Sequence, residues 1–421
     1  MLDMRFIREN PDKVKTAIRN KFCDVDIDKL LALDRERREN LQKADELKAV
    51  RNRVSQEIGE LKKKGESSEK AIIEMREVSA KIKEIDDTIR KIEEDIYNVQ
   101  IWIPNIPHES VPVGTEENNQ IVSEWGKVEE PDFTVVPHYD IGNSLGMLDL
   151  DRGARLSGSN FVSFKGIGAK LERSLINFML DLHIEKHGFT EVSVPFIVRR
   201  DIMFGTGQIP KLEEDMYCIE KDDMFLIPTA EVPVTNLHRG EILQKEALPK
   251  KYVAYTPCFR REAGSYGAET RGLMRIHQFD KVEMVMLSER EKSYDALETL
   301  RGYAEEVLQL LELPYRVVTL ATGDLSFAAA KCYDLEVYAY GIKKWLEVSS
   351  ISNFEDFQAR RMNLRYRPDQ SKKPEFVHTL NGSGLALPRV VIAIMENYQT
   401  DEGTIIVPEV LRKYIGTDII K

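Results

Sequence analysis

From Met75 onward, apolar residues recur at Met75, Val78, Ile82, Ile85, Ile89, Ile92, Ile96 and Val99, in steps of three and four without a fault. That spacing predicts a helix with a coiled-coil seam. A weaker seam precedes it. Leu30, Ala44 and Ile58 share one heptad position, and Leu33, Leu47, Val54 and Leu61 share the other, with Arg37, Asn40 and Arg51 interrupting. Between the two lies Lys62-Lys63-Lys64-Gly65-Glu66-Ser67-Ser68, which reads as a turn. Two helices of about thirty residues, each about 45 Å long, are therefore expected to fold back as an antiparallel hairpin over about 28–99. The helical period stops at Ile103-Pro104-Asn105-Ile106-Pro107, and further prolines at 112, 131 and 137 mark a linker over about 103–137. This divides the chain into an N-terminal domain, 1–104, and a larger domain, 105–421.

In the larger domain, residues 170–187 read as an amphipathic helix ending at Gly188. Thr190 to Val198 reads as a strand that Pro195 confines to an edge or an interface. Strand signals follow near 224–228, 252–259, 275–286, 315–320, 333–339 and 345–351, and a closing helix over 387–398. Because strand follows strand without a helix between each pair, the pattern predicts an antiparallel α+β core and argues against a doubly wound sheet.

With 421 residues, 42% of them hydrophobic, the chain can bury a large core. No apolar run is long enough to span a membrane. The start carries acid early, and the four scattered cysteines form no C-x-x-C pair, so the expected compartment is the cytoplasm and no zinc site is expected. The net charge of −11 argues against a wholly basic nucleic-acid binder. Residues 1–100, however, balance 23 basic against 23 acidic side chains, so the acidic excess lies entirely beyond them. The first long helix is the more positive: residues 35–64 carry ten basic and six acidic side chains, residues 69–95 six and nine. A spacer or dimerisation coiled coil is the plainer use of such a seam; a projecting RNA arm is the use the charge favours.

There is no P-loop, and Gly166-Ile167-Gly168 lacks the third glycine of a dinucleotide fingerprint. His183 and His187, four apart around Glu185, mimic a helical metal pair but have no third ligand in view. The richest stretch runs from Cys258-Phe259-Arg260-Arg261-Glu262 through a glycine-bearing loop and Arg275 to Gln278-Phe279-Asp280-Lys281-Val282-Glu283. Arginine forks suit phosphate oxygens, and an aromatic ring suits a purine face. Taken alone, this is also the pattern of a charged surface hairpin.

Phe259-Arg260-Arg261-Glu262 resembles the second signature motif of class II aminoacyl-tRNA synthetases, and Gly384-Leu385-Ala386-Leu387-Pro388-Arg389 resembles the third. The helix, strand and proline of 170–195 are similar to the first, which in that class forms the dimer interface. Thr229-Ala230-Glu231, Leu380-Asn381-Gly382-Ser383-Gly384 and the N-terminal arm narrow the resemblance to the seryl-tRNA synthetase family. Arg261 stands where many members have serine.

The resemblance implies an antiparallel class II catalytic core behind a helical arm, and it implies roles. Arg260 would hold the α-phosphate of ATP and Arg389 the γ-phosphate. Arg275 would add a phosphate contact, Phe279 would stack on adenine opposite Arg389, and Glu262 would accept the adenine amino group. Arg261 and the run Glu347-Val348-Ser349-Ser350 belong to the same ATP site, with Glu347 and Ser350 holding Mg2+. Arg260, Arg389 and Glu347 would carry catalysis. L-Serine would sit among Thr229, Ala230, Glu231, Arg260, Glu283 and Ser383. Arg38, Lys48 and Arg53 on the arm would contact tRNA(Ser), and tRNA(Sec) as well, bound across the subunits of a homodimer with no membrane partner.

Overall fold

The structure is a computed structural model that describes residues 1–262, 271–369 and 372–421. The chain forms two compact units, Leu2–Pro104 and Asn105–Lys421.

The first unit opens with two short helices, α1 (Met4–Glu9) and α2 (Pro11–Asn20), the second begun by a proline at its first position. Two long helices follow, α3 (Ile27–Lys64) and α4 (Glu69–Gln100). At 38 and 32 residues they measure about 57 and 48 Å. Asp26 caps the start of α3 by accepting from the Lys29 amide. Gly65, at φ +74°, ends it, with the Glu66 amide reaching the Leu61 carbonyl at 2.9 Å. The seams meet in antiparallel fashion: Leu30, Ala44 and Val54 are buried on one side, and Val78, Ile82, Ile89, Ile92 and Ile96 on the other. Leu33, Leu47, Ile58 and Leu61 are less completely covered, as expected of a two-helix arm that can cover one stripe.

The second unit is built on an eight-stranded sheet: β1 (Gln120–Trp125), β2 (Thr190–Glu191), β3 (Lys250–Phe259), β4 (Gln278–Ser288), β5 (Tyr315–Thr319), β6 (Lys331–Ala339), β7 (Lys344–Asn353) and β8 (His378–Ala386), in the spatial order 1-5-6-7-8-4-3-2. Every pairing is antiparallel except β2 with β3. Three helices, α5 (Ile167–Glu185), α6 (Ser293–Leu310) and α7 (Leu387–Asn397), share one apolar core with the sheet. The segment expected as a strand from Thr190 to Val198 is two pieces, with β2 at the sheet edge and Ile197–Arg199 in a separate small sheet, because Pro195 breaks the run.

The strand pattern sorts the side chains. On β4, Val282, Met284 and Met286 enter the core, while Phe279, Lys281 and Glu283 take the opposite face. On β7, Leu346 and Ile351 enter the core. A register shift pairs Leu335 with Ser349 but Glu336 with Glu347, leaving Val348 as the extra residue. Residues three apart on a regular strand face opposite ways; this bulge brings Glu347 and Ser350 to the same side.

Candidate active site

On that side lies a cavity of about 950 Å³, lined by the segment that follows β3, by β4, β7 and β8, by the start of α7 and by the stretches Thr206–Gln208, Asp215–Met216 and Ser326–Ala328. Eleven of the residues expected from the sequence line it: Thr229, Glu231, Arg260, Glu262, Arg275, Phe279, Glu347, Val348, Ser350, Ser383 and Arg389. Four do not. Glu283 is fully buried just behind the lining. Ser349 is buried and donates to the Ser383 carbonyl at 2.6 Å, tying β7 to β8. Ala230 is buried ahead of the short helix Glu231–Thr235. Arg261 turns outward over the Tyr217 ring, 5.8 Å from its centroid.

One end of the cavity is rich in guanidinium groups. Arg260 follows directly on β3; its Nε donates to the Pro228 carbonyl at 3.3 Å, and its guanidinium lies 5.2 Å from the centre of the Phe279 ring. Arg275 Nη1 donates to Glu262 Oε2 at 3.3 Å. Glu262 holds φ at +49°, a conformation that non-glycine residues seldom adopt, at the entrance to the loop. The loop residues 263–270, expected to join the two motif strands, lie outside the described residues. The return segment is pinned from behind: the Leu273 amide donates to His138 Nε2 at 3.1 Å, and His138 Nδ1 donates to buried Glu396 at 2.9 Å. Only glycine fits at 272, where φ is +77° and a Cβ would meet His138 Nε2 at 2.2 Å. Arg389, in the first turn of α7, donates to the Glu347 carbonyl at 2.8 Å and to its carboxylate at 3.3 Å.

The other end is closed and crowded with polar groups. Glu231 is held by two amides: Gln358 Nε2 donates to Oε1 at 2.7 Å and Gln208 Nε2 to Oε2 at 3.3 Å. Burial, and then the charge of Glu283, push its carboxyl up to about 7, against the opposing pull of Gln358, Lys281 and Arg260. Glu283 accepts from Asn381 Nδ2 at 2.9 Å and from Ser383 Oγ at 3.4 Å, and it forms an ion pair with Lys281. Lys281 Nζ also donates to Thr229 Oγ1 at 2.8 Å, and the Glu231 amide donates to the same oxygen at 3.2 Å. Thr229, two residues ahead of the short helix, thus takes both bonds on its hydroxyl oxygen while lining the cavity. Beneath Ser350, burial and the neighbouring Glu347 push the Asp334 carboxyl well up, and Cys332 Sγ lies 3.1 Å from Ser350 Oγ.

Sequence reasoning assigned no role to Lys281, Asn381, Gln358 or Gln208. For Lys281 the signal was its place two residues before Glu283 on a strand. Gln358 lies 127 positions from Glu231, and nothing local marks it.

Residues 214–398 match the model for the tRNA synthetase class II core domain (G, H, P, S and T), and residues 1–107 match the seryl-tRNA synthetase N-terminal domain. The chain is 54% identical over 417 residues to a serine–tRNA ligase of Geobacter sp. (strain M21), covering 99% of both. Among solved structures it resembles seryl-tRNA synthetase from Pyrococcus horikoshii complexed with ATP, at 39% identity and a TM-score of 0.94, covering 100% of this chain and 99% of that one. It also resembles the cytoplasmic serine–tRNA ligase from Naegleria fowleri in complex with AMP, at 30% identity and a TM-score of 0.91, with the same coverage. The chain belongs to the seryl-tRNA synthetase family.

The arm carries the second set of residues expected from the sequence. Asp34 is buried among three arginines: Arg8 at 2.9 Å, Arg38 at 3.1 Å and Arg37 at 3.4 Å. Burial alone would raise its carboxyl, but the arginines outweigh burial and hold it below its ordinary value. Arg37 also meets Glu93 at 3.3 Å, and Lys48 lies 3.7 Å from Asp86. Arg53 and Lys62–Lys64 are exposed. The lysines at the turn thus add exposed positive charge at the far end of α3 from Arg37 and Arg38. His183 and His187, the candidate metal pair of α5, are both buried and share a 2.9 Å contact between their Nδ1 atoms. Burial and its neighbour push His183 down to about 3, and no cluster of three or more His, Cys, Asp or Glu arranged for a metal occurs among the described residues.

Proposed function

We propose that this protein is a serine–tRNA ligase: it joins serine to the adenylate of ATP and passes the seryl group to the 3′ end of tRNA(Ser), and to that of tRNA(Sec). The observation that carries the reading is a single cavity with an arginine-rich end and a closed end built from Thr229, Glu231, Lys281, Glu283 and Ser383. ATP belongs at the first. Arg260 lies nearest the junction and suits the α-phosphate; Arg389 suits the γ-phosphate; Arg275 adds charge; Phe279 and Glu262 suit adenine. Serine belongs at the second, where its ammonium and hydroxyl donors meet acceptors.

A serine carboxylate oxygen attacks the α-phosphorus, and the bond to the β-phosphate oxygen breaks, releasing pyrophosphate. The terminal ribose hydroxyl of tRNA then attacks the seryl carbonyl, its proton passes to a phosphate oxygen of the adenylate, and AMP leaves as that phosphate takes back the bonding pair. Neither step requires a protein nucleophile. The residues act by alignment and by offsetting phosphate charge as it builds. Glu347 and Ser350, brought to one face by the bulge at Val348, fit Mg2+, which takes one or two carboxylates and completes its shell with water and phosphate oxygens. Bound there with ATP, the ion would draw charge from the phosphates. No helix among the described residues is long and apolar enough to cross a membrane. The proposal extends to a cytoplasmic homodimer paired through the 170–195 segment, with tRNA held across the subunits by Arg38, Lys48, Arg53 and the lysines at the turn. Serine-dependent pyrophosphate exchange, run against all twenty amino acids, tests the reading. Exchange with serine is expected, and exchange driven best by another amino acid would overturn it.

A further inference from the structure

Lys281 is the cation that the proposed chemistry leaves without a task. Its side chain is 7% exposed, between a fully buried carboxylate and a hydroxyl. Long ammonium side chains are seldom buried this far unless something holds them there. Here two things do: the ion pair with Glu283, two residues along the same strand face, and the 2.8 Å bond to Thr229 Oγ1.

The second bond fixes a polarity. A threonine hydroxyl has one proton to give and two lone pairs. The Glu231 amide and the Lys281 ammonium both donate to Thr229 Oγ1 and occupy both lone pairs. The hydroxyl is left with its proton alone, and it can meet a ligand in the cavity only as a donor. Ser383 has the opposite polarity: its proton goes to Glu283 Oε2 at 3.4 Å, which leaves its lone pairs for a ligand. The amino-acid end of the cavity therefore presents one fixed donor beside a set of acceptors.

We infer that Lys281 is a positioning residue for amino-acid selection: it locks Thr229 as a hydrogen-bond donor to an oxygen of the bound amino acid, while its charge holds Glu283 in place as an acceptor. A ligand with both a donor and an acceptor oxygen satisfies this array; one with fewer polar groups strands a buried partner. The inference rests on the serine-activating reading and adds a residue to it.

The test is a split in Michaelis constants measured by pyrophosphate exchange on the full chain. Lys281→Met is expected to raise the KM for serine by about tenfold or more and to leave the KM for ATP within about twofold, since it removes interactions made at one end of the cavity only. Thr229→Val is expected to raise the serine KM by about tenfold in the native background and by less than about twofold in Lys281→Met, because its donor is no longer aligned. Lys281→Gln, which keeps an N–H for Thr229 without the charge, separates the two jobs; Thr229→Val should remain costly in it. Should Lys281→Met not fold, Lys281→Gln and Thr229→Val alone decide, since both must raise the serine KM selectively. Equal changes in the two Michaelis constants, or strictly additive effects of the paired substitutions, would overturn the inference. A native protein without serine-dependent exchange would overturn the proposed function instead.

Discussion

Glu231→Gln should stabilise the protein and disable it, with a pH dependence that identifies the cause. In the folded chain the Glu231 carboxyl, ordinarily near 4.5, is raised to about 7 by burial and by Glu283. Above that value the folded protein must keep a charge on a side chain that is nearly fully buried. At ~1.4 kcal/mol for each tenfold change in proton affinity, the cost reaches ~3 kcal/mol. The sign follows from proton counting. Between pH 4.5 and about 7 the folded state holds a proton that the unfolded chain has released, so stability falls as pH rises through that window and levels off above it. A glutamine at this position can still accept the Gln358 bond, 2.7 Å in the native protein, through its carbonyl oxygen, more weakly than the carboxylate does, and it never ionises. The variant should therefore match the native protein near pH 4.5 and gain up to ~3 kcal/mol by about pH 8. Urea unfolding at fixed protein concentration, followed by tryptophan fluorescence, measures the difference; Trp125 and Trp345 report on this unit. The same variant should lose serine-dependent exchange, because a donor group of serine would face a neutral amide in place of a carboxylate. In the native protein the serine KM should fall as pH rises from about 6 to about 8, because bound serine favours the ionised carboxylate. Parallel pH profiles for the two proteins would refute this account of Glu231.

Arg260→Ala should lower exchange by about 10²–10³, as expected on losing one preorganised partner of transition-state charge; near-native exchange would remove Arg260 from the α-phosphate. Alanine should be activated about 10⁴-fold less well than serine, because the hydroxyl-reading groups would be left unpaired, and steady-state exchange with both amino acids checks this. Removing residues 35–95 and bridging the cut should preserve exchange. It should cripple transfer to tRNA through weakened, salt-sensitive binding, measured by filter retention across a salt series; full charging by the shortened chain would make the arm structural alone.

How far the fold was legible depended on whether a local signal existed. The heptad steps from Met75 to Val99 required a long helix, and α4 is that helix. The apolar runs near 252–259 and 315–320 required strands, and β3 and β5 are those strands. The antiparallel α+β class followed from their succession. By contrast, β8 was visible only as the run Leu380-Asn381-Gly382-Ser383-Gly384, not as a strand. Its centre is made of Asn, Gly and Ser, poor strand formers, which are selected by what touches them. A Cβ on Gly384 would lie 2.6 Å from His183 Nε2, and Gly382 packs against Ile351. Eleven candidate residues line one cavity because motif resemblance named them, while the partners that orient them went unassigned. Gln358 reaches Glu231 from far along the chain. The bulge that brings Glu347 and Ser350 to one face shows only in the pairing of β6 with β7. Period-two reasoning would have separated those two side chains.

The arm carries a mechanical consequence. Its two helices lie against each other with each turn meeting the turn opposite, so the hairpin behaves as a zipper fastened at one end. Leu30, Ile92 and Ile96 are buried near the chain ends of the hairpin; toward the Gly65 turn Val54 and Ala71 are buried as well, but Ile58, Leu61 and Met75 are partly open to water. The last turns beside Gly65 should therefore open most easily, and their amides should exchange fastest. Such a beam is stiff where it is rooted and compliant where its free lysines are carried. Its outer turns can adjust to an uneven surface for the loss of a few half-buried side chains, without a separate hinge.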